Sequence, residues 1–232
     1  MIELRDINRE YDLGGRPVHA LRDVNLTVRD GDYVSLMGPS GSGKSSLLNI
    51  IGCLDRPTSG DYLLDGLNVA TFDDIALAHV RAGTMGFIFQ SFNLVARLTG
   101  AGNVELPMIF AGVGRAERAD RVARALASVR MTDRADHRPA QLSGGERQRI
   151  AVARAVVMGP SVLLADEPTG NLDRATGLEI VRLLESMQAD GLTLVVVTHD
   201  PSIGSRAARQ LRMSDGAIVD ERRPAAAAVG VR

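Results

Sequence analysis

Apolar and polar residues alternate in the first part of the chain in the pattern of short β-strands. The alternation is clearest over residues 20–28, and apolar runs of strand length occur at residues 2–7 and at Tyr33–Met37. A turn at Asp30-Gly31-Asp32 precedes the last of these runs. The chain is therefore predicted to begin with the edge of a β-sheet, and residues 45–51 predict its first helix.

The pattern changes at about residue 95, where helical spacing replaces the strand-like alternation. Residues 116–131 place apolar side chains at helical intervals between arginines, namely at Val122, Ala125, Leu126 and Val129. We therefore predict a mostly helical insertion over residues 95–158.

Two continuous apolar runs follow the predicted insertion. Residues 162–165 and 194–197 are separated by a predicted helix near residues 175–189. Apolar runs flanked by helices are typical of parallel strands that are covered on both faces. The succession of predicted strands and helices indicates one α/β domain over residues 1–223. The alanine-rich residues 224–232 are predicted to be a flexible tail.

Composition and charge narrow the functional classes. Hydrophobic residues make up 45% and charged residues 24% of the 232 residues, which is the balance of a folded protein. The net charge of −1 provides no overall basic field, so no nucleic acid partner is expected. The longest apolar runs are far shorter than the roughly 20 residues of a membrane-spanning helix, so a membrane role would require a partner.

The first residues and the single cysteine indicate a reducing compartment. The chain does not open with a basic region followed by an apolar stretch, so no signal peptide is predicted. One cysteine cannot form an internal disulfide, and Cys53 has apolar neighbours. Cys53 is therefore interpreted as a buried structural thiol.

The segment Gly38-Pro39-Ser40-Gly41-Ser42-Gly43-Lys44-Ser45, here called the phosphate loop, contains the clearest chemical motif. It fits the pattern G-x-x-x-x-G-K-S/T between a predicted strand and a predicted helix. Its glycines let backbone N–H groups face phosphate oxygens, Lys44 can reach the β and γ phosphates, and the Ser45 hydroxyl can bind Mg²⁺. Lys44 is also the only lysine in a chain rich in arginine. The motif predicts a nucleoside triphosphate site, without choosing among kinases, GTPases and transport ATPases.

Polar side chains follow the two late apolar runs. Asp166 and Glu167 stand at the carboxyl end of the first run, where open α/β sheets bind their ligands. Asp166 can hold Mg²⁺ through its water shell, and Glu167 can polarise a water for in-line attack on the γ phosphate. The pair predicts hydrolysis. His199 follows the second run, where a hydrogen bond to the γ phosphate and a structural role are both compatible with its spacing.

The octet Leu142-Ser143-Gly144-Gly145-Glu146-Arg147-Gln148-Arg149 resembles the signature sequence of ATP-binding cassette (ABC) proteins. Its Ser143-Gly144-Gly145 segment predicts a capped helix with a positive amino end, which is a second candidate anion site. In that family the signature of one subunit closes over the ATP held by the other subunit. The resemblance therefore implies a homodimer around two molecules of MgATP. It also implies a P-loop NTPase fold, with a RecA-like parallel-sheet core, an antiparallel β subdomain and an inserted α-helical subdomain that contains the signature.

Further positions resemble functional positions of the family. Tyr11 resembles the aromatic residue that stacks on adenine, and Gln90 resembles the glutamine that contacts Mg²⁺ and senses the membrane subunit. Asp173 resembles the loop aspartate that links the two sites of a dimer, and His199 resembles the switch histidine. Ser46 extends the nucleotide-binding loop, where threonine is usual. The implied catalytic residues are Lys44, Glu167 and His199, and the implied metal ligands are Ser45, Gln90 and Asp166.

A narrower likeness covers residues 51–60, 86–90 and 165–173, which are similar to the macrolide-exporter and lipoprotein-release group. The resemblance implies an ATPase subunit that drives a separate integral membrane permease at the cytoplasmic face of the membrane, in export or in lipoprotein, peptide or drug extrusion. A regulatory role like that of the cell-division member, signalling through a membrane protein without moving a solute, is the alternative. The octet departs from the common pattern at Glu146, where glutamine is frequent.

Overall fold

The computed structural model describes residues 1–12 and 14–223, so the predicted tail at residues 224–232 lies outside the described residues. The chain forms two compact units. The first contains the residues up to Phe72 and those from Val195 onward, and the second contains Asp73–Leu194.

The described residues form both strands and α-helices. The strands are β1 (Ile2–Asp12), β2 (Pro17–Val28), β3 (Tyr33–Met37), β4 (Ser59–Leu64), β5 (Leu67–Asn68), β6 (Met85–Phe89), β7 (Val162–Asp166), β8 (Thr193–Val197), β9 (Arg209–Ser214) and β10 (Ala217–Arg222). The α-helices are α1 (Lys44–Ile51), α2 (Asp74–Thr84), α3 (Gly100–Phe110), α4 (Arg115–Ser128), α5 (Gly144–Val156), α6 (Arg174–Ala189) and α7 (Pro201–Gly204).

The first unit contains an antiparallel sheet and a set of mixed strand pairs. Strands β2, β1, β4 and β5 form the antiparallel sheet in that order, with Ile2, Leu4 and Ile7 buried on one side of β1. Strand β3 pairs in parallel with β9, which pairs antiparallel with β10. The Thr198 N–H, just after β8, donates to the Leu36 carbonyl at 3.1 Å, so the end of β8 lies beside β3.

The second unit combines a parallel strand pair with helices. Strand β6 pairs in parallel with β7, from Met85 opposite Val162 to Phe89 opposite Asp166. A Cβ on Gly86 would lie 2.5 Å from the Ala155 carbonyl oxygen, so only glycine lets α5 pack this closely on β6. Helices α3, α4 and α5 occupy the predicted helical region, and none of the described helices is long and apolar enough to cross a membrane.

The α/β class is confirmed, and the differences from the predicted elements have local causes. Helix α4 stops at Ser128 rather than at residue 131, because Arg130 adopts a left-handed backbone with φ 59°. Helix α2 was not predicted, since Leu77 is its one buried residue and gives no apolar periodicity. Strands β9 and β10 were also not predicted, although a turn at Asp215-Gly216, with φ 49° and 83°, joins them in the geometry of a tight hairpin.

Candidate nucleotide-binding site

The phosphate loop connects β3 to α1 and is fixed by close backbone approaches. Gly38, Gly41 and Gly43 have φ of 154°, 79° and 96°, in a region that other residues rarely adopt. A Cβ on Gly38 would lie 2.3 Å from the Met213 carbonyl oxygen, and one on Gly43 would lie 2.5 Å from the Ala20 carbonyl oxygen. The first and last glycines of the loop are therefore required by both conformation and space.

Helix α1 begins without a side-chain cap. Gly43 caps the helix without a side-chain acceptor, and its first turn has no acidic residue. Every other α-helix in the described residues has a side-chain cap or an acidic residue in its first turn. A helix start without a side-chain cap keeps a partial positive charge, which suits phosphate oxygens.

Lys44 is held in position at the start of α1. Its Nζ donates to the carbonyl oxygens of Gly38 at 2.9 Å and Pro39 at 2.8 Å, and the residue is 9% exposed. An ammonium group has three N–H donors, so one more can reach a ligand. The Ser42 hydroxyl is buried without a hydrogen-bond partner among the described residues. The loop positions open to solvent are Pro39, Ser40, Gly41 and Ser45, and Ser46 is half-buried.

Two further predicted residues lie in the first unit. Tyr11, near the end of β1, is half-buried, and its hydroxyl donates to Asp55 Oδ2 at 2.7 Å. The Arg9 guanidinium lies 4.4 Å above the ring centroid of Tyr11. His199 is exposed and lies two residues after the end of β8. The roles of Tyr11 and His199 stay predictions.

In the second unit, the carboxyl ends of β6 and β7 bring three predicted residues together. Asp166 ends β7 opposite Phe89, so Gln90 and Glu167 follow at the same edge of this strand pair. The Asn171 side chain donates to the Gln90 carbonyl oxygen at 2.9 Å. Gln90, Asp166 and Glu167 are therefore neighbours at one sheet edge.

Glu167 has a strained backbone, with φ 46°. Such a conformation costs about 1–3 kcal/mol for a residue with a side chain and persists where the surroundings enforce it. One enforcing contact comes from Gln148 of α5, which is fully buried and donates from Nε2 to the Pro168 carbonyl oxygen at 2.8 Å. Sequence reasoning missed Gln148, because nothing in the octet shows which member turns inward.

Ser143 and Glu146 cap the start of α5 reciprocally. The Ser143 hydroxyl accepts the Glu146 N–H at 3.2 Å, and the Glu146 carboxylate accepts the Ser143 N–H at 2.8 Å. This N–H, followed by the Arg134 guanidinium, lowers the pKa of Glu146 below its usual value. Gly144 and Gly145 lie in the first turn, and a Cβ on Gly145 would lie 2.4 Å from Thr176 Cγ2.

Asp173 caps the neighbouring helix α6. Its carboxylate accepts the Ala175 and Thr176 N–H groups at 3.0 Å and the Thr176 hydroxyl at 2.6 Å. The Thr176 hydroxyl is the main reason that the pKa of Asp173 is lowered. The structure thus places Asp173 at a helix start next to the signature helix, and its role in a dimer stays a prediction.

Arginines of the signature helix hold the loop that follows Gln90. Arg154 donates to the carbonyl oxygens of Phe92 at 2.9 Å and Asn93 at 2.5 Å, and both of those residues have positive φ, 58° and 49°. Burial lowers the pKa of Arg154. The Arg147 guanidinium lies 5.0 Å from the Phe92 ring centroid. Sequence reasoning missed these contacts, which join residues about 60 positions apart.

Three features define a P-loop nucleoside triphosphatase. A glycine-rich loop precedes a helix that lacks a side-chain cap, a lysine is held on that loop, and an acidic pair lies at the end of a parallel strand. The family model for ABC transporters matches residues 21–170. The chain belongs to the ABC transporter family and is an ATPase cassette of that family.

Individual relatives agree with this assignment. The macrolide export ATP-binding/permease protein MacB of Rhodopseudomonas palustris strain BisB18 is 51% identical over 95% of this chain and 34% of its own length. The uncharacterized ABC transporter ATP-binding protein YknY of Bacillus subtilis strain 168 is 48% identical over 94% of this chain and 95% of its own. The chain therefore spans about a third of the MacB relative and nearly all of YknY.

A solved structure shows the same fold. The dimeric post-hydrolysis state of the ATP-binding cassette MJ0796, bound to ADP and Pi, is 42% identical and superposes with a TM-score of 0.89. The match covers 96% of this chain and 98% of that chain. The predicted family and fold are confirmed.

Proposed function

We propose that this chain binds MgATP, pairs head to tail with a second copy, hydrolyses ATP and drives a separate integral membrane permease at the cytoplasmic face of a membrane. The observation that carries the proposal is the uncapped start of α1, where Lys44 is fixed on loop carbonyls with a donor to spare. Export is the favoured direction, since MacB relatives are named as macrolide exporters.

In this proposal the phosphate loop binds the triphosphate. Its N–H groups and Lys44 bind phosphate oxygens, and Ser45, Asp166 and Gln90 are the proposed Mg²⁺ ligands. The described residues contain no group of three or more His, Cys, Asp or Glu side chains that could hold a metal alone. This fits Mg²⁺, which is commonly bound by one or two carboxylates together with substrate phosphates. When bound, Mg²⁺ neutralises charge on the phosphate oxygens.

Glu167 is the proposed base. It accepts a proton from the attacking water, whose oxygen bonds to the γ phosphorus as the bond to the β–γ bridging oxygen breaks. His199 is proposed to hydrogen-bond the γ phosphate. Ser143, Gly144, Gly145 and Asp173 are proposed to act on the ATP held by the other copy, in agreement with the dimeric form of the related cassette MJ0796.

Replacing Glu167 tests the proposed base. Glu167→Gln should nearly abolish ATP turnover and retain ATP binding, because the amide cannot accept the proton of the water. The same variant should form an ATP-dependent dimer, measured by light scattering. Glu117→Gln, an exposed carboxylate in the first turn of α4, is the matched control and should turn over ATP normally. Normal turnover by Glu167→Gln would reject this assignment.

The single lysine provides a direct test of the phosphate loop. An amine-acylating reagent can modify only Lys44 and the terminal amine, and peptide mass spectrometry separates the two products. MgATP should protect Lys44 and leave acylation of the terminal amine unchanged as an internal reference. Equal acylation of Lys44 with and without MgATP would contradict the proposed site.

The membrane partner can be identified from the trapped state. Glu167→Gln protein is held with ATP in its native cells, and the membranes are solubilised mildly before purification. A co-purified permease with a large extracytoplasmic domain supports export. A division-type membrane protein supports the regulatory alternative, and the absence of a membrane protein contradicts the coupling to a permease.

A further inference from the structure

We propose that Arg9 and Asp55 are positioning residues that fix the ring of Tyr11 for stacking on a purine base, and so determine how much of nucleotide affinity comes from the base. We call Arg9, Tyr11 and Asp55 the tyrosine brace. The inference rests on the proposed function, because it requires a nucleotide at this site. All three residues belong to the first unit, which also contains the phosphate loop.

Asp55 is held in one orientation by several donors. Arg9 binds it with two nitrogens, Nε to Oδ2 at 2.9 Å and a terminal nitrogen to Oδ1 at 2.8 Å. The backbone N–H of Arg56 donates to Oδ1 at 2.8 Å. A two-pronged arginine–carboxylate pair fixes geometry as well as charge. The carboxylate therefore presents Oδ2 to the Tyr11 hydroxyl in a defined position.

The ring of Tyr11 is restrained at two places. Its hydroxyl donates to Asp55 Oδ2 at 2.7 Å, and the Arg9 guanidinium covers one ring face at 4.4 Å from the centroid. A base can therefore stack only on the opposite face. Since the charges of Arg9 and Asp55 compensate each other, the brace orients the ring without adding a net charge that would itself bind or repel phosphates.

The brace also connects the tyrosine to the helix of the phosphate loop. Asp55 follows α1 by four residues, in the segment 51–60 that resembles the macrolide-exporter group. The Thr58 side chain accepts the Glu10 N–H at 3.0 Å, and the Thr58 N–H donates to the Asn8 carbonyl oxygen at 2.8 Å. The segment is thus fastened to β1 at Asn8 and Glu10, as well as through the brace. The stretch that contains the phosphate loop, α1 and the segment after it therefore also holds the strand that carries Tyr11.

Removing the carboxylate should weaken binding of ATP and leave binding of a ligand without a base unchanged. In Asp55→Ala the ring regains rotational freedom, which must be lost again on stacking. We expect the Kd for MgATP to rise about three- to tenfold, the range for reordering one side chain. The Kd for magnesium tripolyphosphate should not change, since the phosphate loop is intact.

The experiment is a double-mutant cycle in full-length protein with Glu167→Gln, which prevents turnover. Calorimetry gives the Kd of MgATP and of magnesium tripolyphosphate for Asp55→Ala, Tyr11→Ala and the double variant. Asp55→Asn is the second variant if Asp55→Ala does not fold, and Arg9→Lys tests the two-pronged contact. Arg5→Ala is the matched control, because Arg5 forms an exposed pair with Glu3 on the same strand.

The brace predicts that Asp55→Ala lowers the preference for ATP over tripolyphosphate, and that the substitution has no effect on ATP binding once Tyr11 is alanine. An unchanged preference, or an equal effect in the Tyr11→Ala background, would overturn it. Parent protein that binds neither ligand would instead refute the proposed function. Binding of both ligands by the parent, with Asp55→Ala unaffected, would refute the brace alone.

Discussion

Glu146 places a negative charge in the first turn of the helix that is proposed to close over the γ phosphate of a second copy. Its carboxylate accepts the Ser143 N–H at 2.8 Å and forms an ion pair with Arg134 at 3.0 Å. A carboxylate at a helix start stabilises the helix but repels a triphosphate that approaches the same end. Glu146→Gln should therefore lower folding stability slightly and tighten the ATP-driven dimer.

The structure sets the size of the stability change. The side chains of Arg134 and Glu146 are 49% and 30% exposed, so solvent limits their pair to about 0.2–1 kcal/mol. The charge at the helix end contributes about 0.3–1 kcal/mol, and glutamine can keep the hydrogen bond to Ser143. The loss is about 1 kcal/mol, which lowers the Tm by about 2–4 °C in a chain of this size.

The difference in folding stability between the parent and Glu146→Gln should change with pH in a defined direction. The Ser143 N–H is the first cause that lowers the pKa of folded Glu146 from its usual 4.5. The resulting stabilisation is present above pH 4.5 and disappears as the pH falls through the folded pKa. The parent and Glu146→Gln should therefore approach each other in stability at acidic pH.

Urea unfolding and light scattering measure the two effects. Dimer affinity is measured with MgATP in the Glu167→Gln protein, at low and high salt, because salt should reduce the gain. Glu117→Gln makes the same change in the first turn of α4, away from the signature, and should leave the dimer unaffected. A trapped dimer that is unchanged or weaker in Glu146→Gln would refute the repulsion.

Two further substitutions test contacts within single units. Arg209→Met removes the arginine that pairs with both Asp32 and Glu221 and should reduce the free energy of unfolding by about 2–3 kcal/mol. The loss is less than for a fully buried pair, because both acids are partly exposed and each keeps another donor, the Arg29 N–H for Asp32 and the Arg223 guanidinium for Glu221. Arg209 is the first cause that lowers the pKa of Glu221 from 4.5, so the stability lost in Arg209→Met should become smaller as the pH falls below 4.5. Urea unfolding measures this loss, and a loss that does not change with pH would contradict the role of the Glu221 pair. Gln148→Met removes the donor to the Pro168 carbonyl, so the backbone at Glu167 should be held less firmly. We expect kcat to fall about tenfold with little change in KM. An unchanged kcat in steady-state ATPase assays would rule this out.

Local motifs and apolar runs predicted the core elements because the required information lies within a few residues. The phosphate loop specifies its own turn through glycine conformations, and the apolar run at residues 162–165 has the length of a buried strand. Local signals also existed for two elements that were missed. Asp73 caps α2 by accepting the Ala76 N–H, and Asp215-Gly216 is a hairpin sequence.

Contacts between distant residues could not be predicted in this way. Tyr11 and Asp55 are 44 positions apart, and Gln148 and Pro168 are 20 apart. Nothing in the sequence near Asp55 indicates that its carboxylate accepts the hydroxyl of a tyrosine in β1. Such pairs depend on strand register and helix packing, which set side-chain proximity only after the fold is complete.

Because of the left-handed backbone at residue 167, selection for stability and selection for ATPase activity favour different side chains there. Glycine and asparagine adopt φ near 46° more easily than glutamate does, so either would relieve strain at this position. Neither can take a proton from water as a carboxylate does. A laboratory search for heat-resistant variants, conducted without an activity screen, would thus be expected to enrich inactive proteins altered at residue 167.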